Sequence, residues 1–324
     1  MSRAIRFHQT GGPEVLRLEE TEAGSPGQGQ ALVRHTAIGV NFIDTYHRTG
    51  LYPLPLPSGM GVEGAGVVEA VGPGVEHVRE GDRVAYQGGP PGSYSERRVM
   101  PAARLLKLPP DVADQDAAAL MLKGLTVHML VRRVHAVKPG ETVLWHAAAG
   151  GVGLIACQWL KAIGARTIGT VGSDEKARLA RAYGCDEVIV YTREDFKTRV
   201  RELTGGAGVP VVYDSVGKST FEGSLDSLAP RGMMVSFGNA SGPVPPVSPL
   251  TLGTKGSLFL TRPSVMTYTA DRGELEEAAA ELFALVSAGK VKAQVGQTYA
   301  LAQAADAHRD LEARRTSGSV LLLP

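Results

Sequence analysis

In the first third of the chain, apolar and polar residues alternate with a period of two. The clearest runs are QALVRHTAIGV (30–40) and GAGVVEAVG (64–72). Such alternation predicts half-buried β-strands, and turn marks (GGPE, GPGV, GGPPGS) punctuate the region. From about residue 123 the texture changes to short apolar runs separated by helical spacing. This predicts strands at 142–146, 167–170, 188–191, 211–214, 234–237 and 257–260. The helical patterns LIACQWLKAI, EKARLARAY, REDFKTRVREL and TFEGSLDSL lie between the first five. Gly164, Gly184 and Gly205 follow three of them, where a left-handed helix end favours glycine. The alternation predicts right-handed βαβ units, hence a parallel sheet with helices on both faces. The tail holds a helix, GELEEAAAELFALVSAG, a strand-like VGQTYAL, a helix near 301–313 and a last strand, SVLLLP. A terminal strand needs a partner, and the β-rich region supplies one. The expectation is an α/β chain of two domains. One is β-rich and formed by 1–124 and 263–324; the other is a doubly wound domain, 125–262, inserted into it.

Composition narrows the function classes. The chain has 324 residues, 43% hydrophobic and 21% charged, with a net charge of +1. That is ordinary globular composition. No basic run favours a nucleic-acid or anionic-membrane partner. The first residues, MSRAIRFHQTGGPEVL, lack a signal-peptide core. No stretch reaches the roughly 18 apolar residues of a membrane helix. With two cysteines, Cys157 and Cys185, neither a disulfide framework nor a four-cysteine zinc lobe can form. Both are expected as small buried residues. A cytoplasmic location is expected by default.

The chemistry begins at ETVLWHAAAGGVG (141–153). An apolar strand stops, three alanines and three glycines follow, and a helix starts. The segment 148–153 matches G-x-G-x-x-G with alanine at the first glycine. Gly150 permits close approach to a pyrophosphate, and Gly153 permits tight packing of the helix on the sheet. With a strand before and a helix after, the motif predicts a dinucleotide at the helix N-terminus. About twenty residues on, an NAD-binding chain carries Asp or Glu against the ribose hydroxyls. Here the strand ends at Gly172, followed by Ser173-Asp174-Glu175-Lys176. Glycine leaves room for a 2′-phosphate that Ser173 and Lys176 can hold, so NADPH is expected over NADH. The plainer alternative makes Ser173 a helix cap and Lys176 a solvated cation.

AAAGGVG, the helix-opening KGLT (123–126), GVNFIDTYHRTGLYP (39–53) and VYDSVG (212–217) together resemble the zinc-free quinone oxidoreductases of the medium-chain dehydrogenase/reductase superfamily. The resemblance spans nearly the whole chain. It implies a GroES-like catalytic domain, an inserted Rossmann domain and NADPH in the cleft between them. It also implies a homodimer joined through the edge strand GSLFLTRP (256–263). By the same resemblance, Asn41, Phe42, Ile43, Asp44 and Thr45 reach the nicotinamide side, and Thr126 contacts the cofactor. Gly151 and Val152 donate amides to the pyrophosphate beside Gly150. Gly172, Ser173, Lys176 and Tyr191 surround the 2′-phosphate. Val216, Asn239, Leu260, Thr261 and Arg262 line the nicotinamide ribose, and Arg314 touches the cofactor. One departure stands out: close relatives carry a tyrosine after KGLTV, whereas this chain has His128-Met129.

Zinc alcohol dehydrogenases share that fold, and their GHExxG segment supplies a histidine ligand. Here the stretch is GVEGAG, with Val62 in the histidine's place and Glu63 retained; Asn41 resembles the first cysteine place. Asn and Val cannot complete a four-coordinate site, so no metal is expected. A quinone accepts hydride without a Lewis acid, and the site then mainly positions two rings. Tyr46 and Tyr52 are candidates to stack on or hydrogen-bond to the acceptor, and Asn41 to bind its carbonyl. His47 is able to donate a proton, but is expected as a solvated surface histidine. The expected function is metal-free reduction of a quinone by NADPH, with one- and two-electron routes both open. The alternatives are an NADPH-dependent reductase of 2-alkenals or enones, and a non-catalytic role as a structural crystallin or RNA binder.

Overall fold

The computed structural model describes all residues, Met1–Pro324. The chain divides into two compact units: Met1–Leu125 with Thr269–Pro324, and Thr126–Tyr268. Residues 263–268, expected with the β-rich domain, lie in the second unit and carry a short helix, Val265–Tyr268. No helix is long and apolar enough to cross a membrane.

The first unit is built on the long strand Gln30–Val40. Ala31, Val33, His35 and Ala37 turn inward, as the period-two pattern requires. The strand pairs antiparallel with Glu63–Val71, Arg97–Pro101 and Ser319–Leu323. The last of these lies between Gln30–Val40 and Val295–Ala300. Val320, Leu321 and Leu322 are all buried there. A strand enclosed on both faces reads as a continuous apolar run. Phe7, Val40, Met60 and Tyr94 share one core with Leu301, Ala304 and Leu322, so both ends of the chain build this unit.

The second unit holds six parallel strands in the order Glu187–Val190, Arg166–Val171, Thr142–Trp145, Val209–Asp214, Leu228–Ser236, Phe259–Thr261. The order reverses beside Thr142–Trp145, the crevice where such sheets bind ligands. Leu144, Ile168, Ile189, Val212 and Met234 pack beneath Val200, Phe221 and Leu225 on one face. Ala148, Cys157, Val171, Ala180 and Cys185 pack on the other. Gly164, Gly184 and Gly205 all have positive φ, as expected after helices.

Two local expectations are corrected, and one helix had no counterpart among them. KGLT does not open a helix; it lies in the last turns of Asp114–His128. Acidic residues begin that helix and alanines follow, a pattern that favours helix. Gly124 stands inside it because a Cβ there would come within 2.7 Å of Leu282. The helix continues as a π-helical segment, Met129–Val134. The strand expected at 234–237 starts earlier, as Leu228–Ser236, through LAPRG, which carries no alternating pattern. The helix Pro249–Thr254 was not anticipated, because its SPLTLGT has little helical amphipathicity.

Candidate functional site

The glycine loop follows the strand Thr142–Trp145 directly. Its left-handed residue is Ala147, at φ 55°, one position before the fingerprint. Ala148 then points its methyl at the neighbouring strand. There Gly169 leaves the space: a Cβ at Gly169 would lie 2.6 Å from both Ala148 Cβ and Cys185 Sγ. An alanine therefore stands at the first fingerprint position because the next strand contributes the missing glycine. Gly153 is required for packing, since a Cβ there would meet Ala147 O at 2.4 Å. Gly150 is the N-cap of the helix Gly151–Ile163, with no side-chain cap. A Cβ on it would meet only Ala147 O, at 3.2 Å. The first-turn amides thus open outward without a capping side chain, which fits a pyrophosphate.

At the end of Arg166–Val171, a Cβ on Gly172 would sit 2.8 Å from Tyr191 Oη, so glycine lets that exposed ring close over the loop. Ser173 accepts a hydrogen bond from Lys176 N at 3.3 Å, capping the helix Asp174–Ala182. Asp174 is held by Arg193, with bonds of 2.9 and 2.5 Å, and is exposed. Sequence reasoning missed Arg193, a cation that balances the carboxylate beside Gly172 and Ser173.

At the end of Val209–Asp214, the buried Asp214 carboxylate organises the next loop. Oδ1 accepts from Val216 N at 2.7 Å and Gly217 N at 3.0 Å; Oδ2 accepts from Thr220 Oγ1 at 2.7 Å and Ser224 Oγ at 3.0 Å. Buried His146 bridges Thr170 Oγ1 and Ser224 Oγ, and burial lowers its pKa. These bonds tie together the ends of three strands. Neighbouring them, Asn239 accepts from Arg262 Nη2 at 3.1 Å in the amide orientation that satisfies both its ends. Arg262 Nη1 also donates to Gly238 O at 3.0 Å. Leu260 and Thr261 are half-buried in the strand alongside. Gly150–Val152, Gly172–Lys176, Tyr191, Val216, Asn239 and Arg262 thus all follow carboxyl ends of strands in one unit. Thr126 lies in that unit too, on the helix Asp114–His128, half-buried.

In the first unit, Asn41 caps the helix Phe42–Thr49. Its backbone N–H donates to Asp44 Oδ2 at 2.9 Å, and its Nδ2 donates to Glu63 Oε2 at 2.8 Å. Glu63 is fully buried and also accepts from Leu122 N at 2.6 Å and Lys123 Nζ at 3.3 Å. Asp44 is fully buried as well. Burial, aided by the Glu63 charge, raises its pKa to about 7. Its Oδ2 accepts from Tyr94 Oη at 2.8 Å, and its Oδ1 has no partner. Behind it, His308 Nδ1 accepts from Arg48 Nη1 at 3.0 Å, which leaves Nε2–H to face Tyr94 Oη at 3.1 Å. Burial and Arg48 hold His308 near pKa 3. Arg48 also donates to Glu312 Oε1 at 2.7 Å. The donors therefore point one way, from Arg48 through His308 and Tyr94 to Asp44. Sequence reasoning missed this chain, because its members lie up to 264 residues apart.

Phe42 and Ile43 are half-buried, whereas Thr45 is buried with its hydroxyl turned back to Phe42 O at 2.7 Å. Tyr46 and Tyr52 are half-buried and meet edge to face, with centroids 5.3 Å apart. His47 is not a surface histidine: it is buried, and burial lowers its pKa. The helix face that carries Asp44 and Arg48 inward carries His47 with them. His128 is buried too and packs against Trp159 at 6.0 Å, a role in packing within the second unit. Arg314 is exposed at φ 58°, in the turn after Ala304–Glu312.

These residues do not fit zinc. No group of three or more His, Cys, Asp or Glu side chains is arranged to hold a metal. Where a ligand set would be needed, an amide and an ammonium share the one carboxylate.

Both units of the chain resemble known proteins. Residues 27–110 match the family described as alcohol dehydrogenase GroES-like domain, and 151–284 match zinc-binding dehydrogenase. The chain is 54% identical to a quinone oxidoreductase of Pseudomonas aeruginosa, covering 100% of both chains. It is 48% identical to a 2-haloacrylate reductase of Burkholderia, covering 100% of this chain and 99% of that one. The structure of Escherichia coli quinone oxidoreductase complexed with NADPH matches with a TM-score of 0.98 at 51% identity, over 100% of both chains. With a GroES-like unit, a parallel-sheet unit and full-length likeness of this degree, the chain belongs to the quinone oxidoreductase family of the medium-chain dehydrogenases/reductases.

Proposed function

We propose that this protein is an NADPH-dependent quinone reductase working without a metal. The observation that carries the reading is the amide–carboxylate–ammonium cluster of Asn41, Glu63 and Lys123. It offers hydrogen-bond donors and a cation to an acceptor oxygen, but no ligand set for a Lewis acid that would stabilise an alkoxide. Reduction of an electron-poor acceptor needs only the former. Bound NADPH supplies the hydride. The amides of Gly151 and Val152 hold the pyrophosphate, with Gly150 allowing its approach. Gly172, Ser173, Lys176 and Tyr191 hold the 2′-phosphate. Val216, Asn239, Leu260, Thr261 and Arg262 orient the ribose on the nicotinamide side. Thr126 and Arg314 add cofactor contacts, and Phe42, Ile43, Asp44 and Thr45 shape the nicotinamide environment. Tyr46 and Tyr52 stack on the acceptor ring and exclude water.

A second reading, reduction of activated C=C bonds, is favoured by the 48% identity to a 2-haloacrylate reductase. Steady-state kinetics with NADPH separates the two. 1,4-Benzoquinone and 9,10-phenanthrenequinone are compared with 2-hexenal and an enone, with and without chelator. Higher kcat/KM on the quinones, unchanged by chelator, is the expected result; preference for the enal moves the function to double-bond reduction.

The working form is proposed to be a cytoplasmic homodimer that pairs Phe259–Thr261, the sheet's last strand. Its Phe259 is 59% exposed, and an uncovered apolar edge is a liability that pairing removes. The net charge of +1 supports neither a nucleic-acid nor a membrane partner.

A further inference from the structure

Asn41 has at most one N–H left for an acceptor carbonyl. Its amide nitrogen has two N–H groups; one goes to Glu63 Oε2 at 2.8 Å and the other faces Gly39 O at 3.5 Å. Lys123 is different. Its ammonium has three donors, and Glu63 Oε2 takes one of them at 3.3 Å. Nor does Glu63 depend on Lys123 for its hydrogen bonds, because Leu122 N and Asn41 Nδ2 already serve both oxygens, at 2.6 and 2.8 Å. A nearly buried ammonium, 6% exposed, on one long bond is costly as a purely structural device. It is well suited to receive a negative charge.

We propose that Lys123 is a catalytic residue. Its ammonium, anchored beside Asn41 on Glu63, binds the carbonyl oxygen of the acceptor and delivers the proton that completes the reduction. This rests on the reading of the protein as a reductase. Hydride arrival gives the acceptor two electrons and one hydrogen and leaves an anionic oxygen. An N–H bond of Lys123 breaks, an O–H bond of the hydroquinone (or of the enol) forms, and the lysine amine regains a proton from water. The balance is one NADPH, one proton and one quinone to NADP⁺ and hydroquinone. The other charges facing the ammonium are Glu63, which anchors it, and Asp44.

Three variants and two readouts test this. Lys123→Gln is expected to lower kcat by about 10²-fold, within the usual range for a positioned acid, with the KM for NADPH little changed. Because Lys123→Gln leaves Glu63 buried without its cation, the double variant Lys123→Met/Glu63→Gln removes both charges. It is expected to stay as slow as the single variant; recovery of wild-type turnover would make the pair structural and overturn the proposal. Lys123→Arg keeps the charge but holds its proton, so it is expected to bind anions and remain slow. The second readout needs no turnover. 4-Nitrophenol, added to the protein below its own pKa, is expected to bind wild type and Lys123→Arg as the yellow phenolate, and this colour is lost in Lys123→Gln. Phenol bound only in its neutral form by wild type would overturn the proposal. Wild type that bound the phenolate but turned over neither quinones nor enals would instead refute the functional reading.

Discussion

Ala148, in the loop after one strand, and Gly169, on the next strand, trade volume, and the trade can be reversed by mutation. Gly169→Ala places its Cβ 2.6 Å from Ala148 Cβ and Cys185 Sγ. Overpacking of this kind costs about 1–3 kcal/mol. Chemical denaturation should show that loss, and adding Ala148→Gly should recover part of it; no recovery would mean Cys185 alone sets the limit. Lys176 is the residue by which the proposed phosphate site is judged. Lys176→Ala should raise the KM for NADPH more than that for NADH. Equal rises would remove Lys176 from that site and leave Tyr191 and Arg193 as its candidates. What sequence reveals at this scale depends on separation. Ser173 as a cap was legible because its partner, Lys176 N, is three residues away. Lys123 sat inside a motif singled out by its resemblance, yet no role attached to it, because Glu63 is sixty residues distant. His47 misled for the same reason: Arg48 beside it is buried against His308, 260 residues further along the chain.

Elements with strong periodicity were legible, and their ends were not. Gln30–Val40 follows its alternating pattern closely, and most strands of the parallel sheet follow their short apolar runs. The helix Asp114–His128 escaped because it is apolar nearly all round and its buried alanines carry no face. The helix Gly151–Ile163 offers a test at this scale. Gly153→Ala would set a Cβ 2.4 Å from Ala147 O, lifting the helix N-terminus off the strand. The expected result is a lower melting temperature together with at least about 10-fold weaker NADPH binding, about 1.4 kcal/mol. Lost stability with unchanged binding would separate packing from anion recognition.

For the whole molecule, the buried titrating groups oppose one another. His35 and His308 hold pKa values of about 3 in the fold, against 6.5 in the unfolded chain. As pH falls below 6.5 the unfolded chain takes up protons first, so stability present above that point declines toward pH 3. Asp44 works in the other direction. Raised from 3.8 to about 7, it contributes fully below 3.8, and that contribution is lost as pH rises through 7. His35 and His308, joined by His47 and His146, whose pKa values burial also lowers, outnumber the one raised acid below 6.5, so the melting temperature should fall there. His308→Gln should make the decline shallower, and an unchanged slope would show that the histidine does not drive it. Association is tested separately: Phe259→Lys should shift a sedimenting dimer to monomer, and a dimer left intact would place the contact elsewhere.

The order in which this chain is made leaves its own mark on folding. Thr126–Tyr268 contains every strand of its own sheet and can close as soon as it leaves the ribosome. The unit before it cannot. Arg48 is buried against His308 and Glu312, and Gln30–Val40 needs Ser319–Leu323 beside it. Until those residues are synthesised, a guanidinium lacks its buried partners and a long strand lacks a neighbour, so the unit begun first must be completed last. A nascent chain stalled before residue 301 should therefore hold a protease-resistant middle behind a sensitive amino-terminal third.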